Sequence, residues 1–199
     1  MGTSDSAPSR HFIYPAKPQR GDRVAILSPS AGLPGLFPHV FELGLRRLEE
    51  QCGLIPVEYP TTRQMGSSLV ARVADIHAAF ADPTIRAVIC SIGGEDQIKL
   101  LKLLDAALLR SHPKPFFGYS DNTNLHLFLW NLGLVSYYGG AIMTHFARPG
   151  AMSVYSLTSL QQAIFARGEF EIAPADAYTD EDVDWDDANA LAHEPPLFP

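Results

Sequence analysis

Apolar residues fall into two kinds of run that alternate along the chain. Short, nearly unbroken blocks of strand length occur at Arg23–Leu27, Leu54–Val57, Ile85–Ile92, Pro115–Phe117 and Val135–Tyr138. Between them the apolar positions recur every three or four residues, as on one face of a helix. Val40, Phe41, Leu43, Leu45 and Leu48 predict a helix from Pro38 to Gln51, closed by Gly53. Leu69, Val73, Ile76, His77 and Phe80 predict a second, capped by Ser67 or Ser68 and stopped at Asp82-Pro83. A third begins near Asp96, with Ile98, Leu101, Leu104 and Leu108 on one face. A fourth begins near Asp121 and runs through Leu125, His126, Phe128, Leu129 and Leu132, and Ser153 to Ala166 gives the last. Ile85–Ile92 is apolar at most positions, as a strand covered on both faces must be. Five strand–loop–helix units predict an α/β domain, with a mostly parallel sheet and helices on both faces. In such sheets ligands bind beyond the carboxyl ends of the strands. The loops expected there are Ser28-Pro29-Ser30, Gly93-Gly94-Glu95, Ser120 and Gly139-Gly140, and they should meet in space.

The pattern divides the chain into a loose, proline-containing lead-in over residues 1–20, the α/β domain over 21–172, and an acidic segment over 173–199. Glu169–Ile172 has the composition of one further strand. The formal net charge is −7, yet no Lys or Arg follows Arg167, while ten acidic residues lie between Glu169 and Glu194. The remaining body carries 15 basic and 12 acidic residues and is close to neutral. No block of Lys and Arg interleaved with aromatics is present, which argues against a nucleic-acid role. The segment Tyr178–Asp187 lacks the glycine of a calcium loop and reads as a solvated connector leading toward a further domain. No His-Glu-x-x-His or Cys-x-x-Cys spacing exists, so no metal site is expected. The two cysteines, Cys52 and Cys90, make no disulfide framework and fit a reducing compartment. With no apolar signal core near Met1 and no apolar run of spanning length, a cytoplasmic protein without membrane partners is expected.

The chemistry points to Phe116-Phe117-Gly118-Tyr119-Ser120-Asp121. A serine on a sharp strand-to-helix turn presents its Oγ beyond the sheet, and the next amide, that of Asp121, faces whatever the Oγ attacks. The same serine also suits a plain helix N-cap, so the local pattern leaves both readings open. A nucleophile further needs oxyanion donors and a base. The Gly93-Gly94 turn and the Asp121 N–H can supply donors. His126 lies on the helix behind Ser120 with its ring directed away, and His145, after the fifth strand, reaches only the cleft edge.

Four pieces together resemble the LD-carboxypeptidase and microcin C immunity serine peptidases: Gly21–Ser30, Ser91–Asp96, Phe117–Asp121 and Tyr138–Gly140. The resemblance extends over residues 12–195, and the acidic Trp-containing tail is similar to the microcin-immunity branch. It implies a Rossmann- or flavodoxin-like domain akin to class I glutamine amidotransferases, belonging to a cytoplasmic, homodimeric serine peptidase that uses no metal or cofactor. It implies Ser120 as nucleophile and Gly93, Gly94 and the Asp121 N–H as oxyanion hole. The Glu and His of the family's triad belong to a C-terminal domain and match no residue here. The substrates implied are a murein tetrapeptide that loses its terminal D-Ala, or a microcin C-type peptidyl-nucleotide, with the 199 residues alone inactive. Two rivals remain: a non-catalytic small-ligand or interaction module, and an amidotransferase-like hydrolase with His145 as base.

Overall fold

The computed structural model describes residues 11–199; residues 1–10 of the expected lead-in lie outside the described residues. Five parallel strands, β1 (Arg23–Leu27), β2 (Ile55–Glu58), β3 (Ile85–Cys90), β4 (Phe116–Gly118) and β5 (Tyr137–Tyr138), pair in the order β2-β1-β3-β4-β5. Helices α1 (Pro38–Cys52), α2 (Leu69–Ala81), α3 (Ala106–Ser111), α4 (Thr123–Asn131) and α5 (Val154–Phe165) cover both faces. Alternation along the strands sorts the core into two layers. Val24, Ile26, Ala87, Ile89 and Phe117 face α1 and α5, while Ala25, Leu27, Val88, Cys90 and Phe116 face α2 and α4. Local signals set the helix ends. Gly53 adopts the left-handed conformation (φ 63°) that closes α1, the Ser68 hydroxyl accepts from Ala71 N–H to start α2, and Ser153 does the same for α5 through Ser156 N–H.

Two expectations need correction. The segment after Asp96 is not one helix but a 3-10 stretch, Gln97–Leu103, followed by α3, whose start Asp105 caps by accepting from Leu108 N–H. Three residues per turn put Gln97 and Leu100 on the same side, and both are fully buried, whereas Ile98, expected inward, is 61% exposed. Glu169–Ile172 forms no strand; it is exposed and pairs with nothing. The acidic residues of 173–199 are all exposed, as expected of a solvated segment, and the segment also touches the domain. Trp185 packs edge-on against Phe37, the Glu194 carboxylate accepts from Ala151 N–H (2.7 Å) and Arg148 (3.0 Å), and Tyr178 pairs with Phe198. The described part of the lead-in is also docked: Ile13 bridges Leu134, and Phe12 lies against Trp130.

Candidate active site

Ser120 sits in a 3-10 turn, Ser120–Asn122, between β4 and α4, and its φ is 61°, the one positive value for a non-glycine among the described residues. A left-handed residue with a Cβ costs about 1–3 kcal/mol and persists only where its surroundings impose it. Here Asn122 imposes it. Fully buried, Asn122 donates through Nδ2 to Ile92 O (3.1 Å) and Tyr119 O (3.0 Å), and its Oδ1 accepts from Gln97 Nε2 (2.7 Å). Gln97 then accepts from Leu125 N–H at Oε1 (3.0 Å), while its own N–H donates to Asp121 Oδ2 (2.9 Å). The Thr123 hydroxyl closes the turn on Ser120 O (2.6 Å). Ser120 is exposed, caps neither helical segment, and its Oγ has no hydrogen-bond partner among the described residues. The N-cap reading therefore does not describe it.

The expected loops do meet around this serine. A Cβ added to Gly93 would lie 2.9 Å from Ser120 Cβ, 3.0 Å from its Oγ and 3.6 Å from Asp121 N, so only glycine lets that backbone approach. A Cβ on Gly94 would meet Ser30 Cβ at 2.7 Å, which places the first loop against the glycine turn. Gly139 N–H donates to Gly118 O (2.7 Å), and the Tyr138 hydroxyl accepts from Ser120 N–H (3.3 Å), bringing in the fourth loop. Beneath them Arg72, nearly buried, donates to Pro29 O (3.0 Å), Ser30 O (2.8 Å) and both oxygens of Asp96 (2.7 and 3.1 Å). The hydrogen bonds from Arg72 lower the Asp96 pKa from its ordinary value. Ser28 Oγ adds a bond to Thr62 O (2.6 Å) and shares another with Ser91 Oγ (2.6 Å).

The histidines do not complete a nucleophilic pair. His126 is spent on the scaffold: its Nε2 bonds Gly118 O (2.9 Å) and its Nδ1 bonds Ser136 Oγ (2.8 Å). Burial lowers its pKa, with the Gly118 carbonyl opposing. His145 packs edge-on against Tyr119 and bonds Thr144 Oγ1 (3.3 Å), and burial lowers its pKa too. His193 pairs with Glu181 on the tail (3.0 Å). No group of His, Cys, Asp and Glu able to hold a metal occurs among the described residues, and burial pushes both thiols up, Cys52 to about 11. Beside Tyr119 a cavity of about 860 Å³ opens between the domain and the tail, walled by Thr144, His145, Arg148, Tyr155 and Trp185.

Residues 24–139 match the family described as the LD-carboxypeptidase N-terminal domain. The chain belongs to the LD-carboxypeptidase family. It is 30% identical over 173 residues to the protein of Bacillus subtilis named carboxypeptidase YocD, covering 85% of this chain and 53% of that one. A second B. subtilis protein, named as a murein peptide carboxypeptidase, is 33% identical over 156 residues, or 76% of this chain and 47% of the relative. Among solved structures, the MccF-like protein of Streptococcus pneumoniae in complex with AMP superposes with a TM-score of 0.79 at 30% identity, over 89% of this chain and 54% of the other. The chain thus spans about half the length of the relatives it matches. No described helix is long and apolar enough to cross a membrane.

The sequence does not mark the residues that support the candidate site, Gln97, Asn122, Arg72 and Asp96. Their side chains are ordinary surface types; burial marks Gln97, Asn122 and Arg72, and the pairing with Arg72 marks Asp96. Gln97→Ala is expected to destabilise the fold by about 2–4 kcal/mol, because it strips partners from buried Asn122 Oδ1 and Leu125 N–H and opens a cavity. Urea unfolding at constant m-value measures it.

Proposed function

We propose that Ser120 is the nucleophile of a serine-type carboxypeptidase that cleaves an amide bond through an acyl-serine intermediate. The observation that carries this reading is the exposed, left-handed Ser120 facing Gly93 and the Asp121 N–H. Ser120 Oγ would attack the carbonyl carbon as a base takes its proton. The amides of the Gly93-Gly94 turn and Asp121 would receive the developing oxyanion. Collapse breaks the C–N bond, the amine leaves with the proton, and water frees the acid and restores Ser120. His126 has both nitrogens bonded, and following the family resemblance the base and the carboxylate that orients it are assigned to a His and a Glu outside these 199 residues. The coverage of the relatives supports that assignment. In this reading residues 21–172 are the nucleophile domain, residues 173–199 lead toward the segment bearing the base, and the 199 residues alone turn over little or nothing.

The substrate is a small peptide conjugate: a murein tetrapeptide losing its terminal D-Ala, or a peptidyl-nucleotide of the microcin C type. The murein-named relative favours the first, and the AMP bound by the S. pneumoniae protein favours the second. The cavity beside Tyr119 is large enough for either. A cytoplasmic homodimer completes the proposal. The rival, a module that binds such ligands without cleaving them, draws on the unpartnered Ser120 Oγ. A fluorophosphonate separates the two. Covalent addition at Ser120, read by peptide mass, is expected in a preparation that also contains the segment bearing the base, and His145→Ala should leave it unchanged. In that preparation a folded protein whose Ser120 stays unmodified would favour the binding module, and loss of labelling in His145→Ala would favour the amidotransferase-like hydrolase.

A further inference from the structure

We propose that the amino-terminal edge of the sheet carries a second binding pocket, for a small organic anion whose carboxylate or phosphate lies among Lys17, Arg86 and Arg167 and whose apolar body rests on Tyr14 and Phe170. A cavity of about 710 Å³ opens there, lined by these five residues together with Tyr137 and Glu169. It lies away from Ser120. Arg86 is the second residue of β3 and Tyr137 the first of β5, whereas Ser120 follows the carboxyl end of β4 in the same parallel sheet.

Three cations line the cavity against one carboxylate, and Glu169 forms no ion pair with any of them among the described residues. Arg86 and Arg167 make no side-chain hydrogen bond within the described residues, which leaves their guanidinium forks open to a bidentate acceptor. Lys17 is placed rather than loose: its Nζ stands 3.7 Å over the Tyr137 ring and donates to Ala163 O. Tyr137 also stacks on Phe117, so the lysine site is tied to the core. Tyr14 is 76% exposed and Phe170 38%, giving the mouth an aromatic rim. Cations beside exposed aromatic rings in one pocket suit an anionic head on an apolar body.

The pocket has its own pH signature. Burial lowers the Lys17 pKa to about 8, and no carboxylate contact offsets it. The charged or titratable groups around it are Arg86, Arg167 and Glu169 on the walls and Tyr14 and Tyr137 beside the amine. A bound anion favours the ammonium form, so binding above pH 8 takes up a proton, and affinity falls as pH rises through that value.

Calorimetric titration of this chain with phenyl phosphate, benzoate and phenol tests the proposal. One saturable site is expected for at least one anion and none for phenol, and the preferred anion identifies the head group. At about pH 9.5 the affinity should drop roughly tenfold, as one charged contact is lost. Arg86→Gln with Arg167→Gln should weaken binding on the order of a hundredfold. Both arginines are exposed, so the thermal midpoint should hold. Ser120→Ala should bind the anion as before, which separates this pocket from the candidate active site. No saturable heat up to about 10 mM, equal binding of phenol, or binding indifferent to the paired arginine variant would overturn the proposal.

Discussion

Replacing Ser120 by alanine is expected to abolish fluorophosphonate labelling and to lower peptide turnover by about four to six orders of magnitude in any preparation that shows turnover. The size of the loss follows from what remains. Without Oγ no acyl-enzyme forms, and only the oxyanion donors and substrate contacts still favour reaction over water. The same position separates chemistry from strain. Alanine keeps a Cβ at φ 61°, so Ser120→Ala should hardly change stability. Ser120→Gly removes the left-handed penalty and should stabilise the fold by about 1 kcal/mol, raising the melting midpoint by roughly 2–4 °C. A more stable glycine variant with no labelling would mean that the fold holds its serine in a costly geometry for the sake of exposure. If Ser120→Ala kept full activity, the proposed mechanism would fall.

The second large effect is expected at Gly93. The added Cβ of Gly93→Ala would come within 2.9 Å of Ser120 Cβ, distances that real contacts do not show, so one of the two loops must move. Ser120 has little freedom to yield, because Asn122, Gln97 and Thr123 bind its turn from three sides. The glycine turn is equally restrained, with Gly94 seated on Ser30 and Asp96 clamped by Arg72. We expect a stability loss of about 1–3 kcal/mol. Labelling should slow by about a hundred- to a thousandfold, the scale of losing one aligned oxyanion donor. Gly168→Ala is the control, since its Cβ would enter open space and should change neither. An unaltered labelling rate in folded Gly93→Ala would remove the glycine turn from the proposed oxyanion hole.

What could be read from the chain alone is what depends on near neighbours in sequence. Strand blocks of Val, Ile and Phe, the cap at Ser68, the stop at Gly53 and the Phe-Gly-Tyr-Ser-Asp turn act over a few residues, so α/β class and element order followed directly. The two-sided apolarity of β3 foretold its burial on both faces, and the fold sets it third of the five strands. Even the exposed turn at Ser120 was legible, because a strand ending in glycine before a helix has few ways to continue.

Tertiary structure decided what depends on partners far along the chain. Gln97 is drawn inward by Asn122, 25 residues later, and that one buried amide turned an expected helical face into a 3-10 stretch with Ile98 outside. Choosing between N-cap and free hydroxyl at Ser120 needed the positive φ, which Asn122 and Gln97 enforce together. The acidic tail's carboxylates are exposed, as its composition implies, but only the fold brings Trp185 and Glu194 to Phe37 and Arg148. The amino-edge pocket gathers Lys17, Arg86 and Arg167 from segments with no sequence relation to one another. Periodicity records which residues a helix or strand must bury, whereas the partners of a buried polar group are set only when distant segments meet.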